Sequence, residues 1–111
     1  MTYDLPQQNS GDTWEGITSI TITRNGSALD LTGAYAKFLV KFQIDAPTMV
    51  SLDTINGGVT ILNPTSGGVI QIPPTIIDIP PANYQWCLVV QLSSGEVDTF
   101  VNGNWPIVKL V

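Results

Sequence analysis

The chain has 111 residues, with four Lys and Arg against nine Asp and Glu for a net charge of −5, no His and a single Cys. Four cations (Arg24, Lys37, Lys41, Lys109) cannot neutralise a run of phosphates, which argues against nucleic acid and anionic membrane as partners. Without imidazole a zinc site or a catalytic triad of the usual kind cannot be built, and Cys87 has no partner for an intrachain disulfide.

The opening residues Met1 to Pro6 lack the basic start and apolar stretch of a secretory signal, so the expectation is a product made in the cytosol, or one that leaves the cell without a classical export signal. Residues 1–10 read as an extended arm. The rest of the chain beats between short apolar or alternating runs and clusters of Gly, Pro and Asn about every ten residues, the pattern of a single all-β domain. Trp14 to Thr23 alternates loosely and is rich in β-branched residues, which favours a strand. Asn25-Gly26 suits a two-residue hairpin turn, and Asp30-Leu31-Thr32-Gly33 reads as a second turn.

Ala34 to Ile44 is the clearest strand. Ala34, Ala36, Phe38, Val40, Phe42 and Ile44 share one face, expected on the core; Tyr35, Lys37, Leu39, Lys41 and Gln43 share the other. Short strands are predicted over Met49 to Asp53, Val59 to Asn63 and Gly68 to Ile72, separated by turns at Asn56-Gly57-Gly58 and Pro64 to Gly67. Pro73-Pro74 and Pro80-Pro81 bracket Thr75 to Ile79, and proline's missing N–H makes this piece an edge strand or an extended connection.

Asn83 to Leu92 repeats the long alternation. Tyr84, Trp86, Leu88, Val90 and Leu92 are expected to meet the Phe38 and Phe42 face across a sandwich, leaving Gln85, Cys87, Val89 and Gln91 outside. A turn at Ser93-Ser94-Gly95, a strand to Val101, a further turn at Asn102-Gly103-Asn104 and a last strand from Trp105 to Val111 complete the reading. The architecture expected is an antiparallel Ig-like β-sandwich of eight or nine short strands.

Candidate chemistry is sparse. Glu96 and Asp98, like Asp12 and Glu15, sit beside turns and read as solvated carboxylates, and no loop has the alternating Asp and Asn of a calcium site. No catalytic residue, metal or cofactor is therefore assigned, and the chain reads as non-enzymatic. Trp86 reads as core. Trp14 and Trp105 lie near strand ends, where a ring either plugs the sandwich or offers a stacking platform for a sugar. Tyr35, Leu39 and Val89 on the outward faces, with Tyr3 and Leu5 on the arm, are the candidate protein-contact residues. The scarcity of charge, 12% of residues and about half the usual share, fits a surface that other proteins cover.

Three segments taken in order carry a resemblance. Gly11-Asp12-Thr13 precedes an alternating strand, Leu29-Asp30-Leu31-Thr32-Gly33-Ala34 precedes a long one, and Ala82-Asn83-Tyr84 enters a strand that turns at Ser94-Gly95 and reaches Val101-Asn102-Gly103-Asn104. This succession resembles the N-terminal domain of phage upper-baseplate proteins and related tail modules, over nearly the whole chain. It departs at Pro80-Pro81-Ala82, where a glycine-containing turn would be expected before the tyrosine. The resemblance implies an accessory or adaptor module of a virion, made in a bacterial cytoplasm, that docks on baseplate, tail, neck or capsid proteins or associates with copies of itself. The alternative is a carbohydrate-binding or adhesive sandwich using Trp14 or Trp105.

Overall fold

The computed structural model describes residues 3–24, 27–28, 30–43, 46–62 and 69–109. The expected turns at Asn25-Gly26 and Pro64 to Gly67, and the core position of Ile44, lie outside the described residues. Strand elements follow the chain as β1 (Gln8–Asn9), β2 (Thr13–Trp14), β3 (Ile17–Thr21), β4 (Thr23–Arg24), β5 (Ser27–Ala28), β6 (Tyr35–Lys41) and β7 (Thr48–Asp53). They continue as β8 (Thr60–Leu62), β9 (Val69–Ile72), β10 (Thr75–Ile76), β11 (Ala82–Gln91) and β12 (Val97–Val108). The protein is all-β.

One layer is a five-stranded sheet in the order β1-β12-β11-β6-β7, antiparallel except where β1 runs parallel to β12. Facing it are the sheet β3-β9-β8 and the pair β2-β10. These are one surface broken twice. Gly16 bends the chain between β2 and β3 at φ 78°, and a Cβ there would lie 2.0 Å from the Ile72 carbonyl oxygen; Pro73-Pro74 bends it opposite, between β9 and β10. Such breaks, with the β4-β5 pair, bring the strand elements among the described residues to twelve, against the eight or nine expected. The piece bracketed by prolines supplies β10, and Ile77 and Ile79 beyond it are buried.

The alternation reading holds on the two long strands. Ala36, Phe38 and Val40 of β6 and Tyr84, Trp86, Leu88 and Val90 of β11 are buried. They are not opposed across the sandwich, however. β11 pairs directly with β6, bringing Leu88 opposite Phe38 and Trp86 opposite Val40 on the same inward face, because two long strands of matched period bury most when they are neighbours in the larger sheet. What crosses the layers is Trp14, stacked on Phe38 at 5.3 Å and tilted against Trp105 at 4.7 Å, with Ile70 and Ile72 beside them. Phe42 is a second correction: β6 ends at Lys41 and Phe42 is 56% exposed, its ring edge-on to Tyr84.

The largest departure is at Asn102-Gly103-Asn104. No turn forms, and β12 runs unbroken through twelve residues. Gly103 has no positive φ; its missing side chain makes room for another segment. A Cβ there would lie 1.9 Å from the Tyr3 carbonyl oxygen, because the arm from Tyr3 to Ser10 runs beside β12. The Tyr3 N–H donates to the Asn102 carbonyl at 2.7 Å, Leu5 N–H to Asn104 at 2.9 Å and Ser10 N–H to Val108 at 2.7 Å. Residues 102, 104 and 106 thus face the arm, so the N–H that Pro106 lacks is missing from the arm side and leaves the β11 ladder intact.

Tyr84 closes the corner before β11. Its hydroxyl donates to the Pro80 carbonyl at 2.6 Å from a ring only 3% exposed, and burial raises the phenol's pKa. Tyr84→Phe is expected to cost about 1 kcal/mol, since it removes one buried donor while leaving the packing; urea unfolding at unchanged m-value checks this.

Candidate interaction surface

The outward face of the five-stranded sheet is set by register. Cross-strand rows place Ser51, Leu39, Cys87 and Asn102 side by side, then Asp53, Lys37, Val89 and Thr99, with Tyr35 opposite Gln91 at one end and Lys41, Gln85 and Asn104 at the other. A β-bulge on β12, with Val101 opposite Leu88 and Thr99 opposite Val89, brings Thr99 to this face. An open depression of about 390 Å³ lies over Leu39, Lys41, Gln85, Cys87 and Asn102.

Of the five residues predicted for protein contact, the structure brings Tyr35, Leu39 and Val89 together on this face, each half-buried. Leu5 is a correction: it is 5% exposed and belongs to the core, because the arm is held against β12 by the Leu5 N–H bond to Asn104 and its leucine packs into the core cluster. Tyr3 is 56% exposed, but on the arm. The face is also less apolar than expected. Leu39, Cys87 and Val89 form a small centre, and Lys37, Lys41, Ser51, Gln85, Thr99 and Asn102 surround it. Lys37, Lys41 and Gln85 sit at alternate positions of β6 and β11, while Ser51 of β7 and Thr99 and Asn102 of β12 join the rows through the register of the neighbouring strands.

One end of the face is fixed by hydrogen bonds. The Tyr35 hydroxyl donates to Asp53 Oδ2 at 2.9 Å, the Asn56 N–H donates to Asp53 Oδ1 at 2.7 Å, and Lys37 Nζ lies 5.5 Å from the Tyr35 ring centroid. The Asn56 bond, helped by Tyr35 and opposed by desolvation, holds the Asp53 carboxyl below its ordinary pKa of 3.8, while the Tyr35 phenol is raised chiefly by its bond to Asp53. A lowered carboxylate contributes to the folded state above its unfolded pKa and ceases to as pH falls through the folded value. The turn at 53–58 is therefore expected to hold at neutral pH and loosen below pH 3.8, read as movement of the Asn56 amide resonance in an acid titration.

Cys87 is half-buried, and desolvation raises its pKa against the weaker opposing influence of Lys41, which makes it a poor nucleophile at neutral pH. Among the described residues no group of three His, Cys, Asp or Glu side chains is placed to hold a metal ion.

The sugar platform loses both of its rings. Trp14 is 7% exposed and Trp105 fully buried, packed on each other and on Phe38, with Trp105 Nε1 donating to the Pro6 carbonyl at 3.0 Å. Both rings fill the space between the layers, Trp14 from the end of β2 and Trp105 from the interior of β12. Sequence reading missed the second concavity, about 750 Å³ between the arm and β3, where the layers part above Leu5, Trp14, Trp86 and Val101. Its walls come from the arm and from residues 14–21, whose juxtaposition no local pattern records.

No helix among the described residues is long and apolar enough to cross a membrane. Comparison of the chain with protein-family models and with the curated proteins found no match.

Proposed function

We propose that the protein is a non-enzymatic structural module of a bacteriophage virion, an Ig-like sandwich that docks on other virion proteins through the outward face of its five-stranded sheet. The observation that carries this reading is the make-up of that face: an apolar centre of Leu39, Cys87 and Val89 within a ring of amides, hydroxyls and two lysines, the centre-and-rim arrangement of a protein interface. The Ig-like assignment is supported by the β1-β12-β11-β6-β7 order with its parallel edge, by the β3-β9-β8 layer, and by the tyrosine that bonds back across the corner before β11. The resemblance to upper-baseplate and tail modules supplies the virion.

The experiment is binding of the purified chain to purified baseplate, tail, neck and capsid proteins, one at a time, by biolayer interferometry. One of them is expected to bind. Leu39→Glu should weaken that binding by at least about 30-fold, since a hot-spot residue at the centre of an interface carries 2 kcal/mol or more, with little change in melting temperature because position 39 is half-open to solvent. Full binding by Leu39→Glu, or no binding to any virion protein, overturns the reading.

A further inference from the structure

The arm occupies a slot built to receive an extended strand. Two buried tryptophans in that slot direct their indole N–H groups at arm carbonyls, Trp86 Nε1 to Tyr3 at 2.9 Å and Trp105 Nε1 to Pro6 at 3.0 Å. The Ser10 hydroxyl donates to the Ile79 carbonyl at 2.7 Å, Asp4 Oδ1 accepts the Asn104 N–H at 3.0 Å, and Gly103 leaves the space that Tyr3 fills. The arm itself is lightly anchored: only Leu5 and Ser10 of residues 3–10 are buried. It joins the body at Gly11, whose φ of 92° turns the chain back so that its N–H meets the Ile77 carbonyl at 2.7 Å.

We propose that this slot also accepts the arm of a second copy, so that neighbouring copies are joined by reciprocal exchange of residues 3–10. The occupant's chemistry is defined by what fills the slot now: carbonyls in register with two indoles, a leucine at the buried position and a main chain that pairs parallel to β12. Exchanged and unexchanged forms make the same arm–slot bonds. The balance between them is set by the hinge and by the concentration of the second copy against the arm's own effective concentration, on the order of millimolar. Dilute protein is monomeric; copies held side by side exchange. The inference rests on the arm and slot alone and does not need the docking face, so a failure of either leaves the other standing.

The test uses the full chain in two differently tagged versions, both Cys87→Ser, one carrying Asp4→Cys and the other Asn104→Cys. Mixed at about 1 mM and oxidised briefly, they are expected to give a disulfide-linked heterodimer in at least about tenfold excess over a control mixture of Asp4→Cys with Ile55→Cys, an exposed position outside the slot that reports collision alone. A third chain carrying both cysteines is expected to close on itself when dilute. Independently, Gly11→Val removes the turn's conformational freedom without a clash, since the nearest atom to a Cβ there is Lys109 Nζ at 3.9 Å. It should raise the dimer fraction in light-scattering chromatography by at least about tenfold at equal concentration, through an extended hinge. A Gly11→Val chain that stays monomeric, or a dimer that gives no 4–104 heterodimer beyond the control while the double-cysteine chain closes normally, overturns the proposal.

Discussion

Trp105→Ala is expected to remove about 3–5 kcal/mol, the largest single-residue loss in the molecule. Trp105 is fully buried, its ring tilted 52° against Trp14 at 4.7 Å and edge-on to Phe38 at 6.0 Å, and its indole N–H meets the Pro6 carbonyl. Truncation would empty the centre of the aromatic cluster, where Trp14 from the facing layer is locked by its stacking on Phe38 and cannot easily move to fill the space. It would also leave the Pro6 carbonyl without its donor. Against a typical total of roughly 5–15 kcal/mol, such a loss leaves a marginal fold. Chemical denaturation should show it, and Trp105→Phe should recover most of it by restoring ring contacts but not the hydrogen bond, a deficit of about 1–2 kcal/mol.

Gly103→Val is the second large effect, expected to cost about 2–3 kcal/mol and to act at a distance in sequence. The new side chain would collide with the backbone of the arm at Tyr3, which cannot yield by a rotamer change as a side chain could. The arm's first residues must then leave β12, Trp86 Nε1 loses the Tyr3 carbonyl, and Leu5 is drawn toward water. Tryptophan emission should shift to the red and the amides of residues 3–5 should lose protection from hydrogen exchange, while β6 and β7 remain unchanged. A variant that kept the protected arm would show that the slot is wider than the structure has it. Trp105→Ala weakens the whole sandwich, whereas Gly103→Val detaches one strand from its edge.

Periodicity carried most of the fold. The two long strands could be read from strict alternation because one of their faces is buried and the other is not, a condition that a period of two records directly. The breaks at Gly16 and at Pro73-Pro74 were visible as residues but not as strand divisions. The failures share a cause: they depend on contacts far apart in sequence. Asn102-Gly103 carries strong local turn chemistry, yet the arm about a hundred positions earlier makes it a strand interior. That β11 lies beside β6 and not opposite it is likewise a matter of which sheet each joins, on which alternation is silent. Of the candidate surface, Tyr35, Lys37, Leu39, Lys41, Gln85 and Val89 are legible as outward positions from alternation, while Ser51, Thr99 and Asn102 join them only through register. Leu5 was misplaced because the arm's partner strand was unknown.

Lysine footprinting of assembled particles tests the central claim most directly. Lys37 and Lys41 lie on the outward face of β6, and Lys109 stands apart at the end of β12, close to Gly11. Brief acetylation followed by mass spectrometry, on free chain and on chain bound within the particle, is predicted to show Lys37 and Lys41 shielded on binding and Lys109 modified to a similar extent in both. Equal modification of all three lysines in the two samples, or shielding of Lys109 alone, would contradict docking through the five-stranded sheet.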